Sequence, residues 1–179
     1  MKPSAFNFQP SLSGSIIKIR PLVEDDYSAM QQCAADKEIW LGHPARDRYK
    51  EEIFSPMFAQ SIASKACVVV CELSTDKPIG WSRYYVADDG PDDISIGFTF
   101  LEKKFWGGNI NKQLKTIMLN HAFKSFQRVW FHIDPNNIRS QKATLKLGAT
   151  LKSEGLVLLA GKKGVWQSYT IDKECWLGL

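Results

Sequence analysis

Apolar residues recur about every second position in some segments of the chain and about every 3.6 positions in others, which separates predicted strands from predicted helices. Seven segments rich in β-branched and aromatic residues predict strands, at 16–22, 67–73, 79–86, 94–101, 129–133, 151–159 and 165–171. Four segments with helical spacing or with helix start and stop signals predict helices, at 24–35, 51–64, 110–126 and 137–147. On the third helix, the apolar stripe leaves Lys112, Lys115 and Lys124 on other faces.

Strands and helices alternate along the chain, with a strand–helix–strand–helix unit in the second half. This order predicts the α/β (α+β) class with a mixed sheet. A length of 179 residues suits one domain with its own core. We expect residues 1–15, which include Pro3, Pro10 and Gly14, to form a loosely held N-terminal arm, and residues 16–179 to form the domain.

The composition is that of an ordinary globular protein, with 44% hydrophobic and 23% charged residues, and excludes disorder, collagen and coiled coil. No apolar run reaches about 18 residues and no signal-peptide core is present, so we expect a soluble, cytoplasmic protein, monomeric or homodimeric, without a membrane partner.

Four cysteines without a CxxC pair, and three histidines without metal-like spacing, lead us to expect no metal. Cys67 and Cys71 lie in a β-branched run and are expected to be buried in a strand.

The charge is unevenly distributed. Residues 24–52 contain eight acidic and four basic side chains, whereas residues 103–163 contain twelve basic side chains against Asp134 and Glu154. Such a basic segment attracts polyanions, or it is a solvated basic face. We do not expect a nucleic-acid partner, because no recognised RRM, KH or helix-turn-helix signature is present.

A glycine pair stands between a predicted strand and the long helix, in Gly107-Gly108-Asn109. Free backbone N–H groups and the positive end of the helix dipole make such a junction a potential phosphate site. Glycines at this position also serve turn geometry alone, so the motif leaves both interpretations open.

A series of sequence blocks resembles the GNAT superfamily of acyl-coenzyme A-dependent N-acyltransferases, in its RimJ/RimL-like branch. The blocks are Ile17-Lys18-Ile19-Arg20-Pro21-Leu22, Ile79-Gly80-Trp81-Ser82-Arg83, Ile96-Gly97-Phe98-Thr99-Phe100-Leu101, Phe105-Trp106-Gly107-Gly108-Asn109-Ile110-Asn111-Lys112-Gln113-Leu114-Lys115, Asn137-Ile138-Arg139-Ser140-Gln141-Lys142-Ala143, Lys146-Leu147-Gly148-Ala149 and Glu154-Gly155. They occur in the family's order and cover nearly the whole chain after the arm.

The resemblance implies a GNAT-like single domain at 16–179, with a mixed, mostly antiparallel central sheet, a splayed parallel strand pair and about four flanking helices. It implies acetyl-CoA as co-substrate, and transfer of the acetyl group to a primary amine by direct attack in a ternary complex. The acceptor partner would be a small amine or a peptide N-terminus. A non-catalytic acyl-CoA-binding module is the alternative, because Asn109 and Asn111 replace small residues of the usual motif.

The resemblance also assigns cofactor-binding roles. The pyrophosphate would lie on the loop formed by Trp106, Gly107, Gly108, Asn109, Ile110 and Asn111. The pantetheine arm would follow the strand at Phe98, Thr99 and Phe100, where a backbone N–H would stabilise the oxyanion. Asn137, Arg139 and Ser140, at the start of the fourth helix, would contact the arm as well.

Two catalytic candidates follow from the resemblance. Ser140 matches a hydroxyl that protonates the departing thiolate, or else it satisfies a helix N–H like an ordinary first-turn serine. Thr144 stands where many members carry a tyrosine acid. Ser95 stands where many relatives carry a glutamate base, so Asp93 would act only through water, and the acceptor amine would have to be partly neutral already.

Two further side chains are candidates for binding the acceptor. Arg83 would bind a substrate carboxylate, or it would pair with an acid at the surface. Tyr169 would reach the cleft, or it would only pack on the last hairpin. The acceptor side itself would be built from 21–64 and the loop 87–91, where no motif identifies the acceptor.

Overall fold

A computed structural model of the protein describes residues 6–87, 90–159 and 161–178. Eight strands occur in this part of the chain. They are β1 (Leu12–Ser13), β2 (Ile17–Pro21), β3 (Cys67–Glu72), β4 (Pro78–Tyr85), β5 (Asp93–Leu101), β6 (Arg128–Ile133), β7 (Thr150–Leu159) and β8 (Lys162–Asp172). They form one sheet in the order β1-β2-β3-β4-β5-β6-β8-β7.

The sheet is mixed, because β5 and β6 run parallel while the other described pairings are antiparallel. The parallel ladder joins three residues of each strand, 93–95 with 128–130. The strand order and the single parallel pair confirm the predicted α/β fold class.

Five α-helices occur in the described part of the chain. They are α1 (Tyr27–Ala34), α2 (Glu51–Ala63), α3 (Ile110–Ala122), α4 (Ile138–Leu145) and α5 (Lys173–Leu177), with 3-10 turns at Glu24–Asp26, Lys37–Trp40 and Lys103–Phe105. The first four confirm the predicted helices, although α3 ends four residues earlier than predicted. The 3-10 turn at Glu24–Asp26 forms the start of the helix predicted at 24–35. The strand β1, the helix α5 and the other two 3-10 turns were not predicted, because so few residues do not complete a hydrophobic period. No helix in the described chain is long and apolar enough to cross a membrane.

Tertiary contacts divide the chain into two compact units. The N-terminal unit comprises Asn7–Tyr84 and Phe98–Ile117, and the C-terminal unit comprises Phe6, Tyr85–Gly97 and the described residues from Met118 onward. Each unit has its own buried residues.

The core of the N-terminal unit is rich in aromatic and sulfur-containing side chains. Its buried members come from the first two helices, the 3-10 turn after α1, and strands β3, β4 and β5; among them are Met30, Trp40, Phe54, Phe58, Trp81 and Phe100. Strand β3 is buried from Cys67 to Cys71, as expected for an apolar run without alternation. Burial raises the pKa of the Cys67 thiol to about 12, so this cysteine is an inert strand residue, as predicted.

An ion pair fixes the junction between β2 and the first helical turn. The Arg20 guanidinium donates to both carboxylate oxygens of Asp26, at 2.8 and 2.7 Å. Asp26 is buried, and its Oδ2 also accepts the backbone N–H of Val23 at 3.0 Å. The carboxylate therefore ties the end of the strand to the start of the helix.

Strands β4 and β5 approach each other closely at Gly80. This glycine has φ +150°, and a Cβ there would lie 2.2 Å from the carbonyl oxygen of Phe100. A side chain at this position would displace the backbone of β5, so glycine is required beside this segment of β5.

The described part of the N-terminal arm is packed, so the expectation of a loosely held arm is wrong for residues 6–15. Phe6 is buried and its ring contacts Phe126 in the C-terminal unit, with 4.9 Å between centroids. In the N-terminal unit, β1 pairs with β2, and Gln9 Nε2 donates to the carbonyl oxygen of Cys67 at 2.9 Å. Apolar and hydrogen-bonding residues within this polar segment account for its order. Residues 1–5 lie outside the described part of the chain.

Candidate active site

The loop before α3 carries two glycines with open space around them. Gly107 has φ +75°, a conformation that favours glycine, and a Cβ at Gly107 or Gly108 would meet no atom within 4 Å. Trp106 anchors the loop, since its Nε1 donates to the carbonyl oxygen of Leu101 at 3.0 Å. The two glycines therefore leave the loop backbone accessible to a ligand.

The first turn of α3 points free donors along the helix axis. The helix begins at Ile110, and the N–H of Gln113 donates to the carbonyl oxygen of Asn109 at 2.8 Å. The preceding N–H groups of the first turn, at 110–112, have no partner within the helix. The Gln113 side chain fixes this end by accepting the N–H groups of Ile16 and Ile17, both at 3.0 Å. A rigid helix start next to an open glycine loop fits a diphosphate.

Strand β5 contains a strained residue at Phe98. Its φ is +52°, which is rare for a bulky side chain. The indole N–H of Trp81 donates to the Phe98 carbonyl oxygen at 2.9 Å, and the Phe100 ring packs against Trp81 with 4.8 Å between centroids. Strain held in place by such contacts often marks a functional segment, and this one coincides with the predicted oxyanion-binding stretch.

Thr99 is held by a buried lysine. Lys115 Nζ donates to Thr99 Oγ1 at 2.6 Å and lies 3.4 Å from Ser82 Oγ, and the two hydroxyls are 2.7 Å apart. Burial lowers the pKa of Lys115 to about 7. The prediction that Lys115 lies away from the buried face of α3 is wrong, because helical spacing does not show how wide a face the tertiary structure covers.

Arg83 is buried on β4 and does not lie at the protein surface. Its Cζ lies 3.6 Å from the centroid of the Phe98 ring, in a cation–π contact. The structure therefore places this predicted substrate residue directly beside the strained segment of β5, within the N-terminal unit.

The C-terminal unit contains Asp93 and Ser95, at the start of β5. Asp93 Oδ2 accepts the indole N–H of Trp130 at 2.8 Å and lies 3.8 Å from Arg128 Nη1. Ser95 is fully buried and pairs with Trp130 in the parallel ladder. The Asp93 carboxylate thus has partners of its own within the unit.

Ser140 lies in the first turn of α4. The Asn137 side chain caps this helix, with Oδ1 accepting the Ser140 backbone N–H at 3.2 Å. Because the carboxamide caps the helix, the Ser140 hydroxyl is not needed for that purpose, and within the described chain it forms no hydrogen bond. Ser140 is half-buried and Arg139 is exposed, so both remain accessible to a ligand.

Tyr169 lies on the last hairpin. Its side chain is buried on β8, and its hydroxyl donates to Gln167 Oε1 at 2.7 Å. Burial raises the pKa of the phenol, so at neutral pH the hydroxyl is a donor.

Sequence reasoning missed two polar pairs, one between residues distant in the chain and one between residues five apart. In the C-terminal unit, the Tyr85 hydroxyl lies 2.8 Å from His132 Nδ1. In the N-terminal unit, Arg48 Nη1 lies 3.1 Å from His43 Nε2. Isolated histidines without a spaced partner carry no motif, so the sequence offered no signal for either pair.

The basic half of the sequence is not a uniformly free positive surface. Several of its side chains are ion-paired, and Lys115 is buried. The pairs are Lys103 with Glu38, Lys104 with Glu102, and Arg128 with Asp172. A polyanion would therefore meet fewer free charges than the sequence count indicates.

Comparison with known proteins agrees with this geometry. A family model described as acetyltransferase (GNAT) domain matches residues 17–150. No curated protein matches the sequence.

Solved structures share the fold. A GCN5-related N-acetyltransferase from Brucella melitensis is 14% identical, with a TM-score of 0.78 over 94% of this chain and 81% of that one. An acetyltransferase of the GNAT family from Bacillus anthracis is 15% identical, with a TM-score of 0.73 over 92% and 99%. Ribosomal-protein-S5-alanine acetyltransferase from Vibrio fischeri is 16% identical, with a TM-score of 0.67 over 93% and 98%. From the family match over most of its length and from this fold, the chain belongs to the GNAT family of acetyltransferases.

Proposed function

We propose that this acetyltransferase moves the acetyl group of acetyl-CoA to a peptide α-amine or a small primary amine, in the cytoplasm and as a member of the RimJ/RimL-like branch. The observation that carries the proposal is the open glycine loop at Gly107 and Gly108, followed directly by the start of α3. The Trp-Gly-Gly-x-x-Asn-x-x-x-Lys pattern supports the branch.

The residues present fit acetyl-CoA. The loop backbone at 106–109 and the N–H groups at 110–112 would hold the diphosphate, because a glycine loop admits close approach and the helix end favours negative charge. Asn137, Arg139 and Ser140 are the further candidates for contact with the cofactor arm. When bound, acetyl-CoA supplies the thioester whose carbonyl carbon the amine attacks.

The chain's own groups would assist both halves of the transfer. Backbone N–H groups near Phe98 to Phe100 would stabilise the negative charge that develops on the carbonyl oxygen as the C–N bond forms. As the C–S bond breaks, the Ser140 hydroxyl would give its proton to the sulfur. The acceptor ammonium would lose one proton to water before the attack. The second N–H proton, lost as the amide forms, would pass through water and restore the Ser140 hydroxyl.

Acetyl-CoA at about 100 times its Kd should stabilise the protein by about 2.7 kcal/mol, or about 5–10 °C in Tm. Gly108→Trp should remove this shift, because the indole would occupy the space in front of the loop backbone. Gly108 is preferred to Gly107, whose φ of +75° would add backbone strain to any substitution. Thermal denaturation with and without acetyl-CoA measures the effect.

Gly155→Trp is the matched control, because a Cβ at Gly155 also meets no atom within 4 Å and this residue lies on β7. It should keep the full shift. A wild-type Tm that does not change in millimolar acetyl-CoA would exclude the proposed cofactor site. A full shift without thiol release for any amine would instead favour the non-catalytic acyl-CoA-binding module.

The missing glutamate at Ser95 predicts a preference for α-amines over lysine side chains. An α-amine has a pKa about 2.5 units below that of lysine, so near pH 7 its neutral fraction is about 300-fold larger. We expect kcat/KM to be at least about 10-fold higher for an α-amine peptide than for a matched lysine peptide, and to rise with pH as the amine deprotonates. Thiol release from acetyl-CoA provides the rate.

In Asp93→Asn, kcat/KM should still rise with pH as in the wild type, because the Asp93 carboxylate already accepts a hydrogen bond from Trp130. Equal rates on both peptides would reveal a protein base and contradict this interpretation of Ser95. Loss of the pH dependence of kcat/KM in Asp93→Asn or in His132→Gln would do the same.

A further inference from the structure

A buried lysine of the N-terminal unit has no role in the transfer as proposed so far. The Lys115 ammonium donates to Thr99 Oγ1 at 2.6 Å and lies 3.4 Å from Ser82 Oγ. Removing an ammonium from water destabilises a folded protein even when hydroxyl groups replace part of its hydration. A methionine of similar length would fill this space without that penalty. Residues that destabilise the fold in this way are concentrated at functional sites, where activity requires them.

Lys115 connects the two elements that carry the proposed cofactor contacts. It lies on α3, three residues after the N–H groups at 110–112 that would hold the diphosphate. Thr99 lies on β5, in the middle of the Phe98–Phe100 segment that would bind the oxyanion. All of these residues belong to the N-terminal unit. The hydrogen bond between Lys115 and Thr99 therefore joins the place proposed for the diphosphate to the place proposed for the thioester.

The strained segment of β5 is held from both faces of the sheet. On one face, Trp81 donates to the Phe98 carbonyl oxygen and stacks on Phe54 of α2, with 5.7 Å between centroids. Ser82, the next residue of β4, lies near Lys115 of α3. Consecutive residues of a strand point to opposite faces, so α2 and α3 cover opposite faces here. A left-handed φ at a bulky residue persists only where its surroundings hold it in place.

The start of α3 is itself fixed to the sheet. Gln113 Oε1 accepts the N–H groups of Ile16 and Ile17, both at 3.0 Å, and Gln113 Nε2 donates to Ser15 Oγ at 2.6 Å. Lys115 follows Gln113 by two residues on the same helix. Because α3 is anchored in this way, its hydrogen bond to β5 sets the distance between the helix start and the strained segment.

We propose that Lys115 is a positioning residue for acetyl transfer, which acts through Thr99 to hold the backbone of Phe98–Phe100 at a fixed distance from the start of α3. The N–H group that faces the developing oxyanion then stays in place when the diphosphate is bound. This inference rests on the proposed acetyl transfer and adds to it a residue that touches neither the cofactor nor the acceptor.

Lys115→Met is expected to lower kcat about 10- to 100-fold at pH 7, because a small displacement of the oxyanion donor is sufficient for a loss of this size. The Kd for acetyl-CoA should stay within about threefold of wild type, because the loop and helix donors at 106–112 are retained. Thiol release gives kcat and calorimetric titration gives Kd. Lys124→Met is the matched control, because Lys124 is an exposed lysine just after α3, and it should keep the wild-type kcat.

Variants of Thr99 test whether Lys115 acts through this residue. Thr99→Val removes the hydroxyl and should lower kcat about as much as Lys115→Met does. Thr99→Ser keeps the hydroxyl and should retain kcat within about threefold of wild type. The double variant of Lys115→Met and Thr99→Val should be no more than about threefold slower than the slower single variant, because both changes break the same hydrogen bond.

The outcomes separate the two proposals. A kcat for Lys115→Met within about twofold of wild type, an equal fall in Lys124→Met, or a loss of affinity for acetyl-CoA as large as the fall in kcat overturns the positioning role and leaves acetyl transfer standing. A double variant slowed by the product of the two single effects overturns the action through Thr99. Absence of thiol release by the wild type with every amine overturns the proposed transfer, and the positioning role with it.

Discussion

Removal of the Ser140 hydroxyl, in Ser140→Ala, is expected to lower kcat about 100-fold or more, which is the range of general acid catalysis. The departing thiolate of coenzyme A would then leave without a proton donor. The Kd for acetyl-CoA should change little compared with kcat, because the proton of the hydroxyl is needed only as the C–S bond breaks. Steady-state thiol release gives kcat, and calorimetric titration gives Kd.

The structure makes this substitution a clean test. Asn137 caps α4, so the alanine variant keeps the helix start and should unfold at the wild-type temperature. Asn137→Ala, by contrast, should lose about 1 kcal/mol of stability with the cap. Ser140→Thr retains a hydroxyl and should recover much of the lost rate. A kcat for Ser140→Ala within about twofold of wild type, less than about 0.5 kcal/mol of barrier, would make Ser140 a structural residue only.

Replacing Lys115 by methionine is expected to stabilise the protein, and to do so more at pH 7 than at pH 9. Burial lowers the pKa of Lys115 to about 7 in the folded state, whereas the unfolded side chain titrates near 10.4. Below about pH 7 both states are protonated, so the full cost of burying the ammonium is present. Between about pH 7 and 10 the unfolded state binds more protons, so the free energy of unfolding of the wild type rises with pH.

Lys115→Met removes this pH dependence. The difference in unfolding free energy between the variant and the wild type should shrink by roughly 2–3 kcal/mol between pH 7 and pH 9, at about 1.4 kcal/mol per pH unit. In the variant, the hydroxyls of Ser82 and Thr99 still hydrogen-bond to each other, so neither hydroxyl is left without a hydrogen-bond partner. Urea denaturation at the two pH values measures the difference.

Lys112→Met is the matched control, because Lys112 is an exposed lysine on the same helix. The difference in unfolding free energy between Lys112→Met and the wild type should be small, and it should be the same at both pH values. If the difference in unfolding free energy between Lys115→Met and the wild type is also independent of pH, the Lys115 ammonium is not desolvated in the folded state.

Local features of this protein could be read from the sequence because they depend on residues close together in the chain. The β-branched run from Cys67 to Cys71 predicted a buried strand, and the structure confirms it. Asn137 and the residues after it predicted a helix start, which Asn137 caps. The Gly107-Gly108 pair predicted a loop with accessible backbone, and space for a ligand is present in front of it. Short-range sterics and periodicity are sufficient for each of these.

Only the tertiary structure decided which distant side chains meet. Arg83 lies on β4 and Phe98 on β5, and their cation–π contact arises from packing of the N-terminal unit. The left-handed backbone of Phe98 depends on Trp81, which holds its carbonyl oxygen.

The burial of charged and polar side chains could not be predicted from the sequence either. The pattern of α3 placed Lys115 outside the apolar stripe, yet the sheet covers it. Burial and electrostatic fields depend on every neighbouring element at once, whereas a hydrophobic period reports only one element at a time. The sequence by itself therefore determined the order of elements, the fold class and the phosphate-loop candidate, while the contact of Arg83 with Phe98 and the burial of Lys115 were decided by packing.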